Sequence, residues 1–192
     1  MTEEIKKGLH PKLKAHICEL ERASRDTTNA EPMCTSKIEV VNFDRIPRVY
    51  ARGRGWRSIP KSNDALYIDI QQKWHFIEFK NGEVKKGDIY RKLYDSLIML
   101  IEWGVIPDFD FSRENIDYIL VYNADRYGKD QKAPAREQTY SYIMGLAEQE
   151  ERLFDIDDFE KYLFRKTHTY TKAQFEERFV RPMEEEEQIN LE

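Results

Sequence analysis

The apolar positions of the chain switch between helical and strand spacing. Leu9, Leu13, Ile17 and Leu20 recur at helical intervals and predict an amphipathic helix over residues 10–24, broken by the polar stretch 26–32. KIEVVNF (37–43) is a short β-rich run. DALYIDI (64–70) and WHFIEFK (74–80), joined by QQK, read as a hairpin over 64–80 that Asn81 and Gly82 turn out of. Ile89, Leu93, Leu97 and Leu100 share one face of a predicted helix over 86–103, which Gly104 and Pro107 stop. IDYILVYN (116–123) is apolar enough for a central strand. A polar loop through Gly128 and Pro134, a helix over 137–151, a strand over 161–171 and a closing helix in AQFEERFV (173–180) follow. This order predicts an α/β fold, with a central mixed sheet and helices on both faces.

At 192 residues, 40% of them hydrophobic, the chain suits one domain with a substantial core, expected over 1–182. The last ten residues, 183–192, hold Glu184 to Glu187 and Glu192 and are expected to form an acidic, disordered tail. No apolar run approaches the roughly 20 residues that cross a bilayer, and the first residues lack a signal-peptide core. A cytoplasmic protein with no membrane partner is expected. Cys18 and Cys34 do not form a CxxC pair or a disulfide framework. Phosphate-loop, dinucleotide-binding, nucleophile-elbow and HExxH patterns are absent.

The net charge of −5 conceals a local asymmetry. RIPRVYARGRGWRSIPK (45–61) contains Arg45, Arg48, Arg52, Arg54, Arg57 and Lys61 and no acid. With Tyr50, Trp56 and two glycines in it, the segment reads as a mobile loop that contacts phosphates. DNA is the expected partner and RNA the alternative; a homodimer is compatible with either.

Period-two alternation puts Ile77 and Phe79 on one face of the second hairpin strand and Phe76, Glu78 and Lys80 on the other. With QQKW as the turn, Asp64 is expected at the level of Lys80 and Asn81. Two carboxylates and an ammonium then converge at the open end of the hairpin. Such carboxylates suit Mg²⁺ or Mn²⁺, and a lysine beside them can orient water or stabilise an anionic transition state. That chemistry fits phosphodiester hydrolysis.

Asp64 in NDALYI, followed 14 residues later by Glu78, Phe79 and Lys80 in FIEFKNG, resembles the PD-(D/E)XK nuclease superfamily, in which an Asp opens one core strand and Glu-x-Lys lies on the next. The likeness covers about 20 residues in motif and about residues 10–125 in the order of elements; Asn63 stands where the motif has Pro. It implies a restriction endonuclease-like α/β/α fold in three layers. It also implies metal-binding roles for Asp64, Glu78 and the Phe79 carbonyl, and a water-positioning role for Lys80. A further acid from the first helix, Glu21 or Glu19, and a phosphate contact from Lys92 follow from the same likeness. The alternative function is a catalytically inactive nuclease-like protein that binds nucleic acid or a protein partner.

Overall fold

The computed structural model describes residues 1–25, 31–82, 85–127 and 153–189. Six strands form one sheet in sequence order: β1 (Ile17–Glu19), β2 (Glu39–Asn42), β3 (Ala65–Ile68), β4 (Trp74–Lys80), β5 (Ile116–Tyr122) and β6 (Lys166–Thr171). The pairings from β1 to β4 are antiparallel, and β4–β5 and β5–β6 are parallel. This is an α/β protein with a mixed open sheet. β5 is buried along its whole length, Asp117 included, in keeping with its largely apolar run between two parallel neighbours.

The described α-helices are α1 (Glu3–Gly8), α2 (Pro11–Lys14), α3 (Leu20–Ala23), α4 (Ile46–Gly53), α5 (Lys86–Glu102), α6 (Phe109–Asn115), α7 (Ala124–Tyr127), α8 (Lys172–Phe175) and α9 (Arg181–Ile189), the last two joined by a π-helical segment, Glu176–Val180. Helices lie against both faces of the sheet. α5 turns Ile89, Leu93, Leu97 and Leu100 inward on the face that carries Phe76 and Glu78. On the other face Phe175 packs edge-on against Phe79, and Phe179 against Tyr67 and His75.

The turn of the β3–β4 hairpin is five residues long and sets the register. The Asp69 carboxylate accepts from the Gln71 and Lys73 N–H groups at 2.9 and 2.8 Å, and Gln72 adopts φ 62°. Trp74 therefore belongs to β4, opposite Ile68, and is not part of the turn. Ala65 pairs with Ile77, which places Asp64 level with Glu78, two residues short of the level expected from the sequence.

The helix predicted over 10–24 is instead interrupted by β1, where Ile17, Cys18 and Glu19 pair with Val41, Val40 and Glu39. Pairing with a strand distant in sequence overrides the local helical spacing. The strand predicted over 161–171 is confined to its second half, after a turn in which Lys161 has φ 61°. The tail expected to be disordered from 183 is helical through Ile189. Its acids find partners: Glu184 accepts from the Ser36 hydroxyl at 2.5 Å and Glu187 from the Tyr67 hydroxyl at 2.8 Å. The loop through Gly128 and Pro134, the helix predicted over 137–151, and residues 190–192 lie outside the described residues.

The basic segment is also ordered differently from expectation, since its first half is α4. Pro47 sits in the first turn, and Ile46, Pro47, Tyr50 and Ala51 are buried. The helix ends in a Schellman arrangement: the Trp56 N–H donates to the Ala51 carbonyl at 3.0 Å, the Gly55 N–H donates to that of Arg52 at 3.2 Å, and Gly55 has φ +68°. A Cβ at Gly55 would meet no atom within 4 Å, so Gly55→Ala carries only the backbone cost of the left-handed conformation. Urea denaturation should show a loss of about 1–2 kcal/mol. An unchanged midpoint would mean that this turn has little weight in holding the segment.

Candidate active site

Asp64 precedes β3, Glu78 and Lys80 share one face of β4, and Lys92 projects from α5 onto that face. The Lys92 ammonium lies 3.0 Å from Asp64 Oδ1 and 2.7 and 2.9 Å from the two Glu78 oxygens. Lys80 Nζ is 2.7 Å from Glu78 Oε1. The second Asp64 oxygen accepts from the Phe79 N–H at 2.7 Å, which fixes its rotamer against the strand. The N–H and C=O of one strand residue point to the same side, so the Phe79 carbonyl also faces the Asp64 side. The Phe79 ring lies on the opposite face, 5.6 Å from Phe175.

A third carboxylate, Asp44, was not anticipated. It lies in the helical turn Phe43–Arg45 that follows β2, where the Phe43 N–H donates to the Asp64 carbonyl at 2.9 Å and the Ser62 hydroxyl approaches Asp44 Oδ1 at 3.4 Å. Its sequence signal is slight: an acid one turn past the strand that neighbours β3. With every group ionised, three carboxylates face two ammonium groups, and the electrostatics register the excess. Burial first, and then Asp64, push Glu78 up to about 7 against the pull of Lys92 and Lys80. Burial and Asp64 likewise raise Asp44 to about 6. The Asp44 carboxyl is packed against the cluster, but the residue as a whole is exposed and better screened by solvent than the fully enclosed Glu78, so Glu78 dominates the response of the site to pH. Burial opposes the charge on Lys92, but Glu78 and Asp64 outweigh it and keep the ammonium protonated.

Tyr118 on β5 shares the Glu78 face, and its hydroxyl is fully buried with no hydrogen-bond partner among the described residues. Burial, then Glu78 and Asp64, raise its pKa well above the ordinary value, so it remains a neutral phenol.

The raised Glu78 sets a sign for pH dependence. An acid whose folded pKa lies above its unfolded value binds more protons in the folded state. Its contribution is therefore fully present below about pH 4.5 and is lost as pH rises through about 7. Between pH 4.5 and 8 the parent should lose on the order of 3 kcal/mol relative to Glu78→Gln, which cannot titrate. Urea denaturation of both proteins across that range tests this; parallel profiles would remove Glu78 as the titrating group.

Glu19 and Glu21 are not part of the cluster. β1 and β2 run so that Glu19 pairs with Glu39, at the end of the sheet opposite Asp64, and both glutamates bind Lys37, at 3.0 and 2.9 Å. The basic residues divide into two groups. Arg54 pairs with Glu102 and covers the Tyr50 and Trp56 rings, and Lys61 binds Asp88 at 2.5 Å. Arg45, Arg48, Arg52 and Arg57 are exposed and form no ion pair among the described residues.

Among the described residues, no three His, Cys, Asp or Glu side chains converge tightly enough to hold a metal ion by themselves. The pair Asp64 and Glu78 still fits a hard divalent ion, which needs only one or two carboxylates and otherwise takes water and substrate oxygens. The Lys92 ammonium already stands between them, so the gap accepts a cation. No described helix is long and apolar enough to cross a membrane. Comparisons of the chain with models of protein families, with curated proteins and with solved structures found no match.

Proposed function

We propose that the protein is a divalent-metal-dependent nuclease that hydrolyses phosphodiester bonds, with DNA as the expected substrate and RNA as the alternative, on a restriction endonuclease-like α/β/α frame. The convergence of Asp64, Glu78 and Lys80 at one end of the sheet carries this reading. Asp64 and Glu78 would hold Mg²⁺ or Mn²⁺, with the Phe79 carbonyl on the same side. When bound, the ion would supply a Lewis acid for a phosphoryl oxygen and would make a nucleophilic water accessible near neutral pH. Lys80, beside Glu78, orients the attacking water and stabilises charge that develops on the phosphorane oxygens. Lys92 adds a second cation for phosphate. Glu78 must lose its proton to act as a ligand, so metal affinity falls as pH drops below about 7.

One observation favours a second reading. Lys92 satisfies both carboxylates through three contacts of 2.7 to 3.0 Å, so the cluster also suits a nucleic-acid-binding protein without catalysis. Incubation with mixed DNA and RNA substrates in Mg²⁺, Mn²⁺ or chelator, paired with calorimetric Mn²⁺ titration, separates the two. Cleavage that chelator abolishes supports the nuclease. Nucleic-acid binding with neither metal uptake nor cleavage supports the inactive binder.

A further inference from the structure

We infer that α4 and the turn after it form a platform for single-stranded nucleic acid, on which Arg45, Arg48 and Arg52 meet successive phosphates and Trp56 stacks on an unpaired base. The direction of the strand, from the carboxylate cluster outward, rests on the nuclease reading above; the platform itself does not.

α4 is sharply two-sided: Ile46, Pro47, Tyr50 and Ala51 are buried, whereas Arg45, Arg48, Val49 and Arg52 are exposed. Steps of three and four residues keep the arginines on one face, about 5 Å apart along the axis per turn. A flexible polyanion can follow that spacing. The row begins beside Asp44, at the edge of the carboxylate cluster, and ends next to Trp56.

Trp56 is 52% exposed, and Ile59 beyond it is 49% exposed. Burying an indole is strongly favourable, and the half of Trp56 left in solvent is apolar surface open to a ligand. It is nevertheless held in place. The Gly55 turn fixes its backbone, Tyr50 meets its ring edge-on at 5.6 Å, and the Arg54 guanidinium lies over the ring at 5.4 Å. Arg54 is tied down in turn by Glu102. A fixed aromatic ring at the end of a row of unpaired guanidinium groups matches a ligand with regular negative charge and flat apolar faces.

A duplex offers the charge but keeps its base faces stacked inside. A single strand offers both, and base stacking on aromatic side chains gives such sites their affinity. An anionic bilayer would also attract arginines and tryptophan. However, it offers a fixed indole no flat base to stack on, and laid on α4 it would press its charge against the exposed Asp44 next to Arg45.

The test is equilibrium binding in chelator, so that no cleavage occurs, to four probes at one salt concentration: a thymidine oligomer, its base-free analogue, a duplex of the same length and anionic phospholipid vesicles. The parent should bind the oligomer about tenfold or more tightly than the duplex or the base-free strand. Trp56→Ala should lose about tenfold for the oligomer and less than twofold for the base-free strand, and Trp56→Phe should recover most of the loss. Arg48→Ala with Arg52→Ala should weaken every nucleic-acid probe and flatten its salt dependence. Equal affinity for oligomer and base-free strand, an unaffected Trp56→Ala, a preference for duplex, or binding to vesicles alone would each overturn the inference. Cleavage in Mn²⁺ is scored separately. Single-strand binding without cleavage would keep the platform and remove the nuclease, and cleavage in Mn²⁺ by a protein that shows no preference for the oligomer in chelator would do the reverse.

Discussion

Lys80→Ala should retain Mn²⁺ with the parent's affinity or better, while single-turnover cleavage falls by about 10²-fold or more. An ammonium cannot ligate a metal. Its loss leaves Glu78 with one cationic neighbour fewer, so the carboxylates become a more attractive site for a cation. The attacking water loses its orienter and the developing negative charge loses a partner, so the chemical step carries the whole penalty. Asp64→Ala and Glu78→Gln act on the other half of the site: each should bind Mn²⁺ more weakly and also lose cleavage. Glutamine is the better replacement at position 78, because the side chain is fully enclosed and alanine would leave a cavity beside two ammonium groups. Calorimetry and single-turnover kinetics on the three variants decide the assignment. A fully active Lys80→Ala would sink it, as would Asp64→Ala and Glu78→Gln variants with parental metal affinity.

Lys92→Met should produce the largest change in stability. The methionine keeps most of the aliphatic stem but removes the charge that bridges Asp64 and Glu78. Breaking a buried ion pair from one side costs about 3–5 kcal/mol, because an uncompensated charge stays behind. Here the cost depends on pH. Glu78 takes up a proton readily, and below its already raised pKa the repulsion with Asp64 disappears. Urea denaturation in chelator should therefore show a loss of about 3 kcal/mol or more at pH 8 and a clearly smaller one at pH 5. Mn²⁺ in about 100-fold excess over its dissociation constant should return about 2.7 kcal/mol at pH 8, since it binds only the folded carboxylate pair. A loss that ignores both pH and Mn²⁺ would show that Lys92 matters for packing alone and that the gap it fills is not a cation site.

Much of the cluster is legible along the chain because it depends on local periodicity. Alternation in WHFIEFK puts Glu78 and Lys80 on one face, and in NDALYI it aligns Asp64 with Leu66 and Ile68; both orientations are present in the sheet. Lys92 is singled out along the chain only through the family likeness, as a phosphate contact, and the structure sets it on Asp64 and Glu78; α5 ends at Gly104 as its sequence predicts. Tertiary structure decided the rest. The five-residue Asp69 turn moved Asp64 level with Glu78, because a hairpin's register follows the conformation of its turn, which composition alone does not specify. Glu19 and Glu21 lie on a segment with helical spacing, but its middle became a strand by pairing with β2, which carried both acids to the far end of the sheet. Asp44 joined the cluster only because β2 lies beside β3, and nothing within reach of Asp44 along the chain encodes that contact. Local sequence determines which way a side chain points. Which side chains meet depends on pairing between distant segments, where the free energy of many buried contacts outweighs the small preference of any one segment.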